Sequence, residues 1–177
     1  TYSESLAHLD SALYYYGDSA AYPYAYNRID YIKGLMPITP LDKVYHLYHE
    51  LADYFKNRGD SIMYGVSLTM LGSTLISIGD TAASVPHFEK AIKILDRAGM
   101  DRWALKFRLS LAQCHYPTNP AKSRQIIEDL RHNKNIQQDS VFYNILLHIS
   151  YTLTRDISII EDALRYIGDN KEFDISK

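Results

Sequence analysis

Residues 70–96 read MLGSTLISIGDTAASVPHFEKAIKILD and contain two apolar helical patterns on either side of a Gly-Asp pair. Leu71 and Leu75 lie four positions apart on one face of the first pattern, and the apolar period resumes after the pair. Gly79 can adopt the left-handed conformation that ends a helix, and the side chain of Asp80 can cap the next helix. The stretch therefore predicts a helix, a tight break and a second helix.

Small residues lie where these two predicted helices would cross. Gly72, Ser84 and Ala91 allow two helix backbones to approach closely, and the ring of Phe88 fills the space beside them. The pattern resembles the tetratricopeptide repeat (TPR), in which a Leu-Gly pair, a large residue, Gly-Asp, a small residue, an aromatic residue and an alanine recur in order. The matching residues are Leu71, Gly72, Leu75, Gly79, Asp80, Ser84, Phe88 and Ala91.

Two further copies of the pattern follow along the chain. Leu111 lies 40 residues after Leu71, and the break recurs as the stretch Pro117 to Pro120. A third copy begins at Leu147, 76 residues after Leu71. Repeats of this kind stack on their neighbours and bury a shared core, so several copies in sequence favour a helical solenoid.

The resemblance to TPR proteins covers residues 41–168 and implies an all-α fold. We expect an α-α superhelix, a TPR-like solenoid of about nine antiparallel helices, forming a single domain over residues 1–177. Residues 1–40 would form a divergent N-terminal helix pair, residues 41–168 the repeats, and residues 169–177 a C-terminal tail. The chain begins at Thr1, which indicates a processed or engineered start, and we expect it to be a fragment of a longer protein.

The front of the chain also resembles a group of Bacteroidetes transcriptional regulators that contain TPR repeats. The resemblance lies in Leu9-Asp10-Ser11-Ala12, RIDYIK at 28–33, KVYHLY at 43–48 and DSIMY at 60–64. It implies the sensor domain of a membrane-tethered regulator on the extracytoplasmic (periplasmic) side, attached to the membrane only through an absent downstream segment. The alternative is a stand-alone TPR scaffold or adaptor in the cytoplasm.

Composition limits the classes of partner. The chain is 46% hydrophobic and 23% charged, as globular proteins are, and its net charge is −2. Nucleic acid attracts strongly basic surfaces, so we expect no nucleic-acid binding through this segment. No apolar run reaches the roughly 20 residues of a membrane span. Cys114 is the single cysteine, which excludes an internal disulfide, and the sixteen tyrosines indicate either helix packing or a partner interface.

No residue set has the pattern of a catalytic, cofactor or metal site. His46, His49 and Glu50 give His-x-x-His-Glu, which differs from the order and spacing of zinc proteases. Cys114 and His115 are neighbours in sequence and would point about 100° apart on a helix. We therefore expect a protein that is not an enzyme and that has no cofactor and no metal.

The TPR resemblance implies that the first helix of each repeat lines a concave groove. An apolar groove of this kind suits a helix or an extended peptide, so we expect a protein or peptide partner, with self-association as an equal alternative. The expected groove residues are Val66, Thr69, Ser73 and Ile76 in the first copy, Lys106, Leu109, Gln113 and Tyr116 in the second, and Phe142, Ile145, Ile149 and Thr152 in the third.

Overall fold

The computed structural model describes residues 4, 32, 39–137 and 139–169 of the chain. All regular secondary structure in these ranges is helical, which confirms the predicted all-α class for them. The helices are α1 (Leu41–Asn57), α2 (Ser61–Ile78), α3 (Thr81–Arg97), α4 (Asp101–His115), α5 (Pro120–Arg131), α6 (Lys134–Gln137), α7 (Ser140–Thr154) and α8 (Ser158–Asp169).

The predicted break between α2 and α3 is confirmed in detail. Gly79 has a φ of 94° and ends α2, and the Asp80 side chain accepts a hydrogen bond from the backbone N–H of Ala83 at 3.0 Å. Asp60 caps α2 in the same way. At the start of α1, Pro40 occupies the N-cap position and provides no side-chain hydrogen bond.

Seven of the described helices correspond to the repeat helices predicted from the sequence. The one-turn helix α6 was not predicted, because four residues are too few to show a helical period. The predicted helix pair in residues 1–40 lies almost wholly outside the described residues. The count of nine helices and the superhelical arrangement therefore stay predictions.

The chain divides into two compact units, residues 1–98 and 99–177. In the first unit, α2 contacts both α1 and α3, and Phe55, Leu71 and Phe88 are fully buried around it. In the second unit, α7 contacts α5, α6 and α8, and its Leu146 is fully buried in a separate core. Each unit thus has an apolar centre of its own.

Helix α2 contradicts the expectation that no segment is long and apolar enough to span a membrane. Among the described residues it is the one helix that passes this test, with 18 residues and no charged side chain. Half of it is buried inside the first unit, and buried helices in the centre of a protein core have the same composition. Its buried hydroxyls bond back to its own carbonyls, as that of Ser67 does to Met63 O at 2.9 Å.

Candidate functional site

The twelve predicted groove residues lie in three kinds of position. In the first unit, Val66 and Thr69 are buried, whereas Ser73 and Ile76 are exposed. In the second unit, Leu109 is buried, Phe142 and Ile149 are half-buried, and Lys106, Gln113, Tyr116, Ile145 and Thr152 are exposed.

The three buried residues cannot line a surface groove. The Thr69 hydroxyl donates to the carbonyl of Val66 at 2.7 Å, and both residues lie inside the first unit. Leu109 is 4% exposed and belongs to the core of the second unit, packed with residues of α5 to α8. These side chains fill the interior because their helices are covered on more than one side.

Three of the predicted residues come together around one cavity in the second unit. Lys106 of α4 and Phe142 and Ile145 of α7 line a cavity of about 380 Å³. The remaining lining residues are Arg102, Trp103 and Asp139. We call this group of six residues the Trp103 cleft. A second cavity, of about 520 Å³, shares Arg102, Asp139 and Phe142 with it and extends to Asn135 of α6.

Asp139 fixes the geometry of the Trp103 cleft. Its Oδ1 accepts the backbone N–H of Phe142 at 3.2 Å and so caps α7. Its Oδ2 lies 2.6 Å from Nη2 of Arg102 on α4. A single carboxylate therefore caps α7 and also joins α7 to α4, the two helices that form the cleft. The cap alone stabilises a helix by about 1 kcal/mol.

The cleft combines exposed apolar surface with a small positive charge. Trp103 is 43% exposed and Ile145 is 47% exposed, and the Trp103 ring stands 6.2 Å from that of Phe107. Arg102 and Lys106 carry positive charge against the single negative charge of Asp139. No ion pair to Lys106 is found among the described residues, and the Arg102 side chain is 83% exposed. Both cations thus remain accessible to a ligand.

Trp103, Arg102 and Asp139 were not among the predicted site residues, although the sequence contains one signal for Trp103. Trp103, Lys106 and Ser110 recur at spacings of three and four on the polar face of α4, opposite the buried Leu105 and Leu109. A tryptophan on the polar face of an amphipathic helix is unusual, because it leaves a large apolar ring in water. The pairing of Arg102 with Asp139 depends on the tertiary fold and has no local signal.

A second polar cluster surrounds Tyr45 in the first unit. Its ring centre lies 6.1 to 6.4 Å from the rings of His46, His49 and His87. Burial, followed by the positive charges of His49 and Lys90, lowers the pKa of His87 below its usual value. His49 also pairs with Asp53 at 3.2 Å. Among the described residues, no three His, Cys, Asp or Glu side chains are placed to hold a metal ion.

Comparison of the chain with protein-family models, with curated proteins and with solved structures finds no match. The function of the site is therefore inferred from the chemistry of its own residues. The Trp103 cleft offers an aromatic wall, an aliphatic side chain and two accessible cations. Asp139, its one carboxylate, is already engaged by a helix cap and an ion pair. This arrangement can hold an apolar side chain and a nearby negative charge.

Proposed function

We propose that the chain is a non-catalytic protein-interaction module that binds a peptide segment of a partner protein at the Trp103 cleft. The observation that carries the proposal is the exposure of Trp103 and Ile145 at the wall of a 380 Å³ cavity. Exposed large apolar side chains that cluster beside a concavity are typical of sites where another molecule docks. A single exposed apolar residue would carry no such argument.

The residue types in the cleft support binding of a protein segment. Tryptophan and arginine are enriched among the residues that dominate binding energy at protein interfaces, and such residues lie in pockets with a polar rim. The cavity falls within the range of about 300–1,000 Å³ that is usual for ligand pockets. An apolar anchor of the partner could pack on Trp103, Phe142 and Ile145, with the cations beside it.

The same residues argue against catalysis in the cleft. A catalytic site needs a nucleophile or an acid–base pair aimed at one point, together with groups that stabilise developing charge. Asp139 is held by the Phe142 N–H and by Arg102, and the other two titratable side chains lining the cavity are cations. A binding role uses all six side chains, whereas a catalytic role would leave the aromatic surface unexplained.

The resemblance noted in the sequence extends the proposal to the whole protein. The successive helix pairs within each unit support a TPR-like solenoid, and the front of the chain supports the sensor domain of a membrane-tethered transcriptional regulator, on the periplasmic side. A stand-alone cytoplasmic scaffold is the alternative. The intact mass of the native gene product, measured in separated membrane and soluble fractions of the source cells, distinguishes them: a membrane-bound species much heavier than 20.4 kDa supports the regulator.

Selection from a displayed peptide library, with an Ile145→Asp variant as counter-selection, tests the binding site. We substitute Ile145 and not Phe142, because Phe142 is half-buried and packs on the core of the second unit, so its replacement would also destabilise the fold. We expect peptides that bind the chain and lose about five- to thirtyfold in affinity for the variant, as expected when about 1–2 kcal/mol is lost at an interface residue. Trp103 is the only tryptophan, so its fluorescence reports binding at the cleft.

Ile157→Asp is the matched control variant. Ile157 is 70% exposed in the link between α7 and α8 and does not line the cleft. It should bind the selected peptides as the wild-type chain does, and both variants should keep the helical circular-dichroism spectrum. Peptides that bind all three chains equally, without changing Trp103 emission, would contradict the proposed site.

A further inference from the structure

The segment after α8 has the chemistry of a ligand for the Trp103 cleft. Residues 170–177 lie outside the described part of the chain and read NKEFDISK. We propose that Glu172 to Ile175 bind in the Trp103 cleft of the same molecule and compete there with partner peptides. This inference rests on the proposed function, because it names a first ligand for the same cleft.

The apolar residues of the segment match the apolar wall of the cleft. Phe173 and Ile175 are alternate residues, so in an extended chain their side chains point to the same side. On that side they would cover the exposed surfaces of Trp103 and Ile145. Aromatic pairs favour offset or edge-to-face contact, which adds to the area that the two rings bury.

The charges of Glu172 to Ile175 complement those of the cleft, whereas Lys171 and Lys177 bring the whole segment 170–177 to a net charge of zero. Glu172 and Asp174 stand on either side of Phe173, and both are negative. The cleft has a net charge of +1 from Arg102, Lys106 and Asp139. The Arg102 side chain is 83% exposed, so its other N–H groups can donate to an incoming carboxylate while Nη2 keeps its pair with Asp139. Opposite charges favour this docking and make it weaker at high salt.

The fold places the start of the segment near the N-terminal half of α7, which lines the cleft. Three residues join α7 to α8, and the two helices contact each other, so they run as antiparallel neighbours. Helix α8 rises by roughly 18 Å over its 12 residues and therefore ends beside the N-terminal half of α7. Phe142 and Ile145 line the cleft from that half. Phe173 comes four residues after Asp169, a reach of at most about 14 Å.

The segment can occupy most of the clefts even if its intrinsic affinity is weak, because it belongs to the same chain as the cleft. A short flexible linker gives an effective concentration of roughly 1 mM. With an intrinsic Kd of about 0.1 mM, the segment would occupy about nine-tenths of the clefts, and a competing peptide would bind about tenfold more weakly than to an empty cleft. The cleft would then select partners that bind well enough to displace the segment.

The test uses the full chain, a Phe173→Ala variant and a Lys177→Ala control in the same segment. Trp103 is the only tryptophan, so its emission, excited where the tyrosines do not absorb, reports on the cleft alone. Phe173→Ala should shift the emission to the red and increase quenching by acrylamide, whereas Lys177→Ala should change neither. A synthetic peptide with the sequence of residues 170–177 should restore the wild-type emission of Phe173→Ala. A version with both acids replaced by lysine should not.

The remaining outcomes separate this inference from the proposed function. Library peptides should bind Phe173→Ala about tenfold more tightly than the wild-type chain. Equal binding to both, with unchanged emission, overturns the internal ligand and leaves the proposed function intact. An emission difference that disappears on dilution assigns the segment to a second copy and overturns docking within one molecule. If neither the library peptides nor the synthetic segment change Trp103 emission in Phe173→Ala, both proposals fall.

Discussion

At position 72 the chain has room only for glycine. A β-carbon built there would lie 2.9 Å from Cε2 of Phe88, which is fully buried between α2 and α3. We expect Gly72→Ala to lower the free energy of unfolding by up to about 2 kcal/mol, because overpacking costs about 1–3 kcal/mol and alanine regains about 1 kcal/mol of helix propensity. Urea unfolding followed by circular dichroism measures the change.

Gly65→Ala is the control for that prediction. A β-carbon at Gly65 would lie 3.3 Å from side-chain atoms of Ile94 and Leu95, which can shift by a few tenths of an ångström. Its propensity gain of about 1 kcal/mol should offset most of the packing cost. Equal unfolding free energies for the two variants would show that Phe88 moves aside easily and that the close crossing is unimportant.

His87 should make the folded state sensitive to mild acid. Its pKa is lowered by burial and by the positive charges of His49 and Lys90, so the unfolded chain takes up a proton more readily than the folded chain. Stability should therefore fall as the pH drops below about 6.5, the usual histidine value, toward the lowered pKa. Asp53 on α1 pairs with His49, and Tyr45 contacts His87 from the same helix.

Replacement of His87 by glutamine tests this pH dependence. His87→Gln should flatten the fall in stability below about pH 6.5, because the side chain no longer takes up a proton. His132→Gln serves as the control, since the His132 side chain is 80% exposed. Thermal unfolding across the pH range compares the three chains. Parallel curves for wild type and His87→Gln would contradict the prediction.

At the level of single residues, the sequence predicted features that depend on near neighbours. Gly72 beside Phe88 and the Asp80 cap follow from spacings within one hairpin, and the structure confirms both. Other features depend on helices that are distant in sequence. Arg131 is only 11% exposed, and its guanidinium pairs with Asp162, which lies 31 residues further along the chain. Pairings across the fold leave no periodic signal in the chain.

At the level of helices, Arg131 joins the end of α5 to the middle of α8. Its guanidinium bonds to Asp162 of α8 and, at 2.8 Å, to Glu128 of α5. Burial lowers the pKa of Arg131, but the hydrogen bonds and negative charges of the two carboxylates outweigh that effect and raise it. The α8 helix also exposes Ile160 and Leu164, so a large part of its apolar surface contributes nothing to its attachment.

We therefore expect Arg131→Met to loosen α8. The substitution keeps a long side chain and leaves Asp162 paired only with the exposed Arg165 of its own helix, at 3.4 Å. We expect a cost of about 1–3 kcal/mol, between the values for exposed and buried pairs. Hydrogen exchange should show faster exchange in α8 than in α7. Glu128→Gln, at a half-exposed position, should have a smaller effect. Unchanged protection of α8 in Arg131→Met would mean that its apolar contacts alone hold it.

The Trp103 cleft could be predicted only in part, and its elements show why. Lys106, Phe142 and Ile145 followed from the helical register of α4 and α7, which is a local property. Their approach to one another, and the capping of α7 by the same Asp139 that binds Arg102, depend on how α4 and α7 pack. Likewise, seven helices were apparent from periodicity, whereas α6 and the division into two units were not.

For the whole molecule, the decisive question is whether α2 stays inside the first unit. Its length and composition would allow it to cross a bilayer, yet half of it is buried against α1 and α3. Transfer to lipid would separate Leu71 and Gly72 from Phe88 and open the core around them. Loss of such packing costs about 2–5 kcal/mol for each large core residue, which exceeds what a marginally stable domain can lose.

The folded chain should therefore remain in the aqueous phase when mixed with neutral phosphatidylcholine vesicles. Flotation on a density gradient measures this, with a heat-unfolded sample as the positive control, because unfolding exposes the apolar surface of α2. Gly72→Ala should float no more than the wild type at temperatures where both are folded, and more at temperatures where only the variant has unfolded. Flotation of the folded wild-type chain would mean that α2 leaves the first unit, and that the apolarity of Ser61–Ile78 serves a membrane rather than a core.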